Sequence, residues 1–135
     1  MSVTIKQVID AAIKAAEAAP TTVYRPVKVE VEDALRCFYV RDGKPDCIFG
    51  HGFVGAGLTV SDVAKIEARL WDSEVAEAGI VRMLKALRKH GLVADAASYE
   101  VEQSIAMVQC AQDQGHEWGS NEVLEHLRSI SEQLA

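Results

Sequence analysis

The sequence predicts a mainly helical α+β domain, with five or six helices packed on one short β-hairpin. Three observations carry that expectation. Apolar residues recur at helical spacing from Ile5 to Ala16 and again in every segment after Gly57. Only Val27–Val31 and Arg36–Val40 alternate as half-buried strands do. The 135 residues match the size of one domain, 1–135, long enough to bury a core.

The first helix has complete start signals. Thr4 stands as N-cap with Gln7 as its capping-box partner, and Val3 and Val8 occupy the hydrophobic-staple positions. Ile5, Val8, Ile9, Ala12, Ile13 and Ala16 form its apolar face, and Pro20 stops it. The strand V-K-V-E-V follows, joined through Glu32-Asp33-Ala34 to the second strand, which ends before Pro45 because proline cannot donate to a ladder. Phe38 is expected in the core from this second strand.

Cys37 to Gly57 is the densest stretch. It holds two of the three cysteines, one of the four histidines and five of the nine glycines. Asp42-Gly43 is a tight-turn pair. Asp46 is placed to cap a helix over Cys47–Ala56, with Gly57 as its stop. Glycines at 50, 52 and 55 each lower helix propensity by roughly 1 kcal/mol relative to alanine, so close backbone packing must compensate.

Beyond Gly57, Thr59 and Asp62 cap a third helix, with Leu58 and Val63 as a second staple. A fourth helix starts near Asp72-Ser73, uses Val75, Ile80, Val81, Leu84 and Leu87, and stops at Gly91. From Tyr99, Val101, Ile105, Val108 and Ala111 share a face up to Gly115. Ser120 then caps a last helix with the stripe Val123, Leu124, Leu127, Ile130 and Leu134. Residues 98–135 thus read as a helical hairpin joined by G-H-E-W-G. Its terminal stripe either packs on the core or is shared with a second copy, so the chain is a monomer or a homodimer.

The net charge of −6 is unevenly placed. Residues 98–135 carry seven acidic side chains against Arg128 alone, while acids and bases balance before them. A nucleic-acid binder would show a basic stripe instead. The cluster Arg82, Lys85, Arg88 and Lys89 ends a helix, where positive charge complements the macrodipole. No apolar run is long enough for a bilayer, and the N-terminus lacks a signal-peptide layout. Three cysteines without extracellular spacing point to reduced thiols in a cytoplasm.

Three constellations are candidates for chemistry. Cys37, Cys47 and His51 form a thiol or metal cluster if strand and helix pack together. The tight ligand pairs of structural zinc are missing, so no metal and no cofactor is expected. Cys47 at a helix N-terminus, with His51 as base and Asp46 or Asp113 as orienter, would make a small Cys/His-dependent enzyme. Against that, a free cysteine commonly serves as a small buried hydrophobe. The third is the turn around Asp113, His116 and Trp118, where Trp118 plugs the hairpin with its N–H on a carbonyl, or contacts a partner. The glycines at 50, 52, 55 and 57 do not make a phosphate loop.

Cys37, Tyr39, Gly43, Pro45, Cys47, Ile48, Gly50 and His51 form the pattern C-x-Y-x₃-G-x-P-x-C-I-x-G-H. Ala111, Gln112, Asp113, Gly115, Trp118 and Gly119 form A-Q-D-x-G-x-x-W-G. Together, over roughly residues 24–125, this layout resembles small uncharacterised proteins of actinobacteria and their phages. The resemblance implies a cytoplasmic, often phage-encoded accessory protein whose two motifs meet in space. Joined to the acidic hairpin, it gives the expected function: a non-catalytic accessory protein that binds and modulates a host protein. Asp113, His116, Trp118, Glu100, Glu102 and Glu122 are its candidate contacts, and a basic protein surface is the expected partner. The alternatives are the Cys/His enzyme and a metal-dependent regulator on Cys37, Cys47 and His51.

Overall fold

A computed structural model describes residues 2–29, 34–71 and 79–135. It is mainly helical α+β. Helix α1 (Ile5–Ala18) starts on the expected capping box: Gln7 N–H donates to Thr4 Oγ1 at 3.1 Å, and Thr4 N–H donates to Gln7 Oε1 at 2.8 Å. Ile5, Val8, Ile9, Ala12 and Ala16 are buried, and Ile13 packs at the edge of the core. Just before the helix, Val3 and Val93 form an isolated parallel bridge, and Asp95 Oδ1 accepts from Ile5 N–H at 2.9 Å. The segment after the fourth helix therefore ties down the start of the chain.

Strands β1 (Val27–Val29) and β2 (Ala34–Arg36) form an antiparallel pair in the register Val27↔Arg36. The expected hairpin is present, but the second strand starts at Ala34 and ends at Arg36, where the expected strand Arg36–Val40 begins. Its expected end at Val31 and the Glu32-Asp33 connection lie outside the described residues. Val40 instead begins a second, smaller hairpin: β3 (Val40–Arg41) pairs with β4 (Lys44–Pro45) around Asp42-Gly43. Both turn residues have positive φ, 54° and 75°, which is what a two-residue hairpin loop requires.

This division reverses one core assignment. Tyr39 is fully buried and Phe38 only half-buried. The Tyr39 phenol fits inside because its polar ends are met: Gln109 Nε2 is 3.1 Å from the hydroxyl, and Glu67 Oε2 accepts from Tyr39 N–H at 2.8 Å.

Helix α2 (Ile48–Ala56) begins one residue later than expected, with Cys47 as N-cap. Asp46 does not cap it. Its carboxylate instead accepts from the Tyr24 hydroxyl at 3.0 Å and faces Arg41 Nε at 3.4 Å. The glycines are explained by close approach. A Cβ on Gly50 would lie 1.7 Å from the Tyr39 carbonyl oxygen, and one on Gly52 would lie 2.8 Å from that of Val8. Without side chains there, α2 packs directly on α1 while Phe49 and Phe53 fill the core.

Helix α3 (Val60–Trp71) starts with Asp62 N–H on Thr59 Oγ1 at 3.1 Å. Helix α4 (Ile80–Lys89) buries Ile80, Met83, Leu84 and Leu87 and turns off at Gly91. The expected start of α4 at Asp72-Ser73, and Val75, lie outside the described residues. Helix α5 (Tyr99–Asp113) is capped by Ser98, whose Oγ accepts from Val101 N–H at 3.2 Å. After the turn, a π-helical stretch (Asn121–Glu125) leads into α6 (His126–Gln133). Ser120 is the N-cap by position, but its hydroxyl makes no cap bond. Val123, Leu124, Leu127 and Ile130 are buried against α1 and α5, so the last stripe is used internally. No helix among the described residues is long and apolar enough to cross a membrane.

Candidate functional site

The two sequence motifs meet along one side of α5. Its buried face carries Ile105 and Val108, and also Gln109 and Gln112. Each glutamine holds the first N–H of another helix. Gln109 Oε1 accepts from Ile80 N–H at 2.8 Å, and Gln112 Oε1 from Ile48 N–H at 2.7 Å. Both amide nitrogens then turn to Cys37, whose Sγ is 3.6 Å from Gln109 Nε2 and 3.8 Å from Gln112 Nε2. Gln112 Nε2 also donates to Asp113 Oδ1 at 2.9 Å. Burial raises the Asp113 pKa, and hydrogen bonds from Gln112 and the Cys37 thiol partly offset that rise. The expected face of α5 holds at Val101, Ile105 and Val108 and extends to the glutamines: Ala111 is at its edge and Gln112 is fully buried.

Cys47 lies beside this cluster. Cys37 is its neighbour across the strand–helix junction, and the Cys47 side chain makes no cap bond to α2. The side chain is 0% exposed. Burial, followed by the neighbouring Cys37, pushes its pKa well up, so it is a protonated thiol and not an activated thiolate. His51 does not join it. The imidazole sits edge-on to Trp118, with ring centroids 5.3 Å apart. Burial lowers the His51 pKa, and Asp46 partly counters that. The Cys47–His51 nucleophile is thus not assembled. Among the described residues, no group of three or more His, Cys, Asp or Glu side chains is arranged to hold a metal ion.

Trp118 plugs the end of the hairpin. It is 4% exposed, and its N–H group on the main chain donates to Thr22 O at 2.9 Å. Gly119 N–H donates to Pro20 O at 2.7 Å, and Val23 bridges Glu117, so the turn is stitched to the segment after α1. The indole Nε1 is buried and finds no carbonyl among the described residues, contrary to the expectation. Trp118, His51 and Tyr24 line an open depression of about 540 Å³, with Arg25, Arg41 and Asp46 at its border. The Tyr24 hydroxyl anchors this wall: it donates to Asp46 Oδ2 and accepts from Phe38 N–H at 2.9 Å.

The six candidate contact residues do not form one patch. His116 and Glu122 face each other at 3.7 Å on the hairpin end. Asp113 is turned toward the thiols. Glu100 and Glu102 are at the opposite end of α5, where Glu102 is 3.9 Å from Lys85. At a rise of about 1.5 Å per residue, the two ends are about 20 Å apart. The outer face of α5 presents Tyr99, 74% exposed at the helix start, and Met107, 60% exposed further along. Sequence reasoning missed these two and Gln109, and it named Gln112 in the C-terminal motif without placing it in the core. The spacing 105, 108, 109, 112 was the available signal, because polar residues inside an apolar stripe are buried and must be bonded.

No family model matches the chain, and neither a curated protein nor a solved structure matches it.

Proposed function

We propose that the chain is a non-catalytic accessory protein, of phage or actinobacterial kind, that binds and modulates a host protein through the outer face of α5. One observation carries this reading: Tyr99 and Met107 are strongly exposed on a helix whose other face is fully used. At 100° per residue they fall within an arc of about 80°, two turns apart, with Gln103 between them. Glu100 borders the stripe on one side and Glu102 on the other. Tyrosine gives a large, stiff contact with a polar tip, and methionine adapts to an irregular surface. The flanking carboxylates favour a partner with basic residues around an apolar centre, and they make association salt-sensitive.

The reading moves the contact away from Trp118, which is part of the packing. The thiol site fits this reading, since Cys47 is fully buried with its pKa pushed up and His51 packs edge-on to Trp118. The test is a tagged pull-down from an actinobacterial lysate, followed by affinity measurement with the recovered partner. A Tyr99→Ala/Met107→Ala variant should weaken binding at least tenfold, and Glu100→Lys should lower the association rate and its salt dependence. A partner held equally well by wild type and both variants would show that this face is not the contact.

A further inference from the structure

We propose that Cys37 and Cys47 are a dithiol that hydrogen peroxide closes to a disulfide, with Cys37 attacking and Cys47 resolving. Proximity is built in. Cys47 N–H donates to Phe38 O at 3.0 Å, fixing its backbone beside the residue after Cys37. Gln112 spans the same gap, holding Ile48 N–H with its oxygen and facing the Cys37 sulfur with its nitrogen. Cys37 is near enough to stand, after burial, among the causes that raise the Cys47 pKa. The third cysteine, Cys110, is exposed on the outer side of α5, where Gln114 Nε2 is 3.4 Å from its sulfur.

The pair is asymmetric in the way the chemistry requires. Cys37 is partly exposed and Cys47 is not, so an oxidant from solvent reaches Cys37 first. The amide nitrogens of Gln109 and Gln112 hold the Cys37 sulfur from 3.6 and 3.8 Å and fix its position beside Cys47. The Asp113 carboxylate, held by Gln112 Nε2 at 2.9 Å and acted on by the Cys37 thiol, gives the proton a way out. The Cys37 thiolate attacks one peroxide oxygen, forming an S–O bond and breaking the O–O bond. The released hydroxide takes up the proton and leaves as water. Cys47 sulfur then attacks the sulfenic acid, its proton joins the departing hydroxyl, and a second water leaves. Two thiols lose two electrons in all, and one peroxide becomes two waters.

The test uses the full chain carrying Cys110→Ser, so that the exposed thiol cannot cross-link copies. On treatment with hydrogen peroxide, both remaining thiols should disappear together. A non-reducing peptide map should join Cys37 to Cys47, and dithiothreitol should reverse it. With Cys47→Ser added, dimedone should trap a sulfenic acid at Cys37. With Cys37→Ser added instead, Cys47 should oxidise at least roughly tenfold more slowly, because it is buried and protonated. The proposal is wrong if the folded chain keeps both thiols under peroxide that consumes Cys110 in the wild type. It is equally wrong if the cross-link forms only in denaturant. Should a serine variant fail to fold, by circular dichroism, the map of the Cys110→Ser chain decides alone.

Discussion

Gln109 meets Tyr39 deep in the core, its Nε2 3.1 Å from the phenolic oxygen, while its Oε1 holds the first N–H of α4. One side chain thus satisfies two buried polar groups from separate segments. Gln109→Leu removes the acceptor of the buried Ile80 N–H and one partner of the Tyr39 hydroxyl, and should destabilise the protein by about 2–4 kcal/mol in urea unfolding. Tyr39→Phe removes one end of the same bond and should cost less. The double variant should show a coupling of about 0.5–2 kcal/mol, since the two side chains are in contact. Additive losses would mean that the contact contributes nothing.

Glu67 gives a pH dependence of known sign. Burial raises its pKa above the ordinary 4.5, and hydrogen bonds from Tyr39 and Val40 N–H only partly offset this. A carboxyl whose folded pKa is raised contributes most when protonated, so its contribution falls as pH rises through the folded value. Stability of wild type relative to Glu67→Gln should therefore rise on acidification from neutral pH toward 4.5. Paired chemical denaturation curves across that range check it, and an opposite slope would contradict the assignment.

Gly50 admits no side chain. Its Cβ would overlap the Tyr39 carbonyl oxygen, which is backbone and has no rotamer to escape into. Gly50→Ala should cost about 3 kcal/mol or more, or prevent folding. Gly79→Ala, whose Cβ enters open space, should cost under about 1 kcal/mol. Thermal unfolding of the two variants makes the comparison.

Truncation at the C-terminus should act on stability. Removing residues from Ser129 onward takes away Ile130, which is fully buried, and Ser131, whose hydroxyl donates to Asp10 at 2.6 Å. The expected loss is about 2–5 kcal/mol, the range for emptying a large aliphatic site. Light scattering on wild type and the truncated chain separates this from a dimer contact. A change of mass with little change in stability would place Ile130 between two copies.

The sequence made some levels of this structure readable and hid others, for physical reasons. Local signals were legible: the Thr4–Gln7 box, the Asp42-Gly43 turn, the stop at Gly57 and the terminal stripe all depend on neighbours within a turn or two. The need for close packing at Gly50 and Gly52 was legible too, because a glycine-rich helix demands a reason. The Cys37–Cys47 proximity followed from the turn between them. What stayed hidden depends on distant partners. Tyr39 displaced Phe38 from the core because Gln109 and Glu67, far along the chain, satisfy its polar atoms. Asp46 left the helix cap for Tyr24 and Arg41. That Trp118 plugs the hairpin was legible; that Thr22 and Pro20, far along the chain, hold its loop, and that its indole N–H finds no carbonyl among the described residues, was not.

The two glutamines of α5 have a consequence for the order of assembly. Helices α2 and α4 lie earlier in the chain, yet the first N–H of each is held by a residue that is synthesised later. A chain growing from its N-terminus has Ile48 and Ile80 in hand while Gln109 and Gln112 do not yet exist. Those helix starts then have water in place of their final acceptors. Segments completed early can collapse but not lock. The starts of α2 and α4 are fully paired only once α5 has been made and packed beside them.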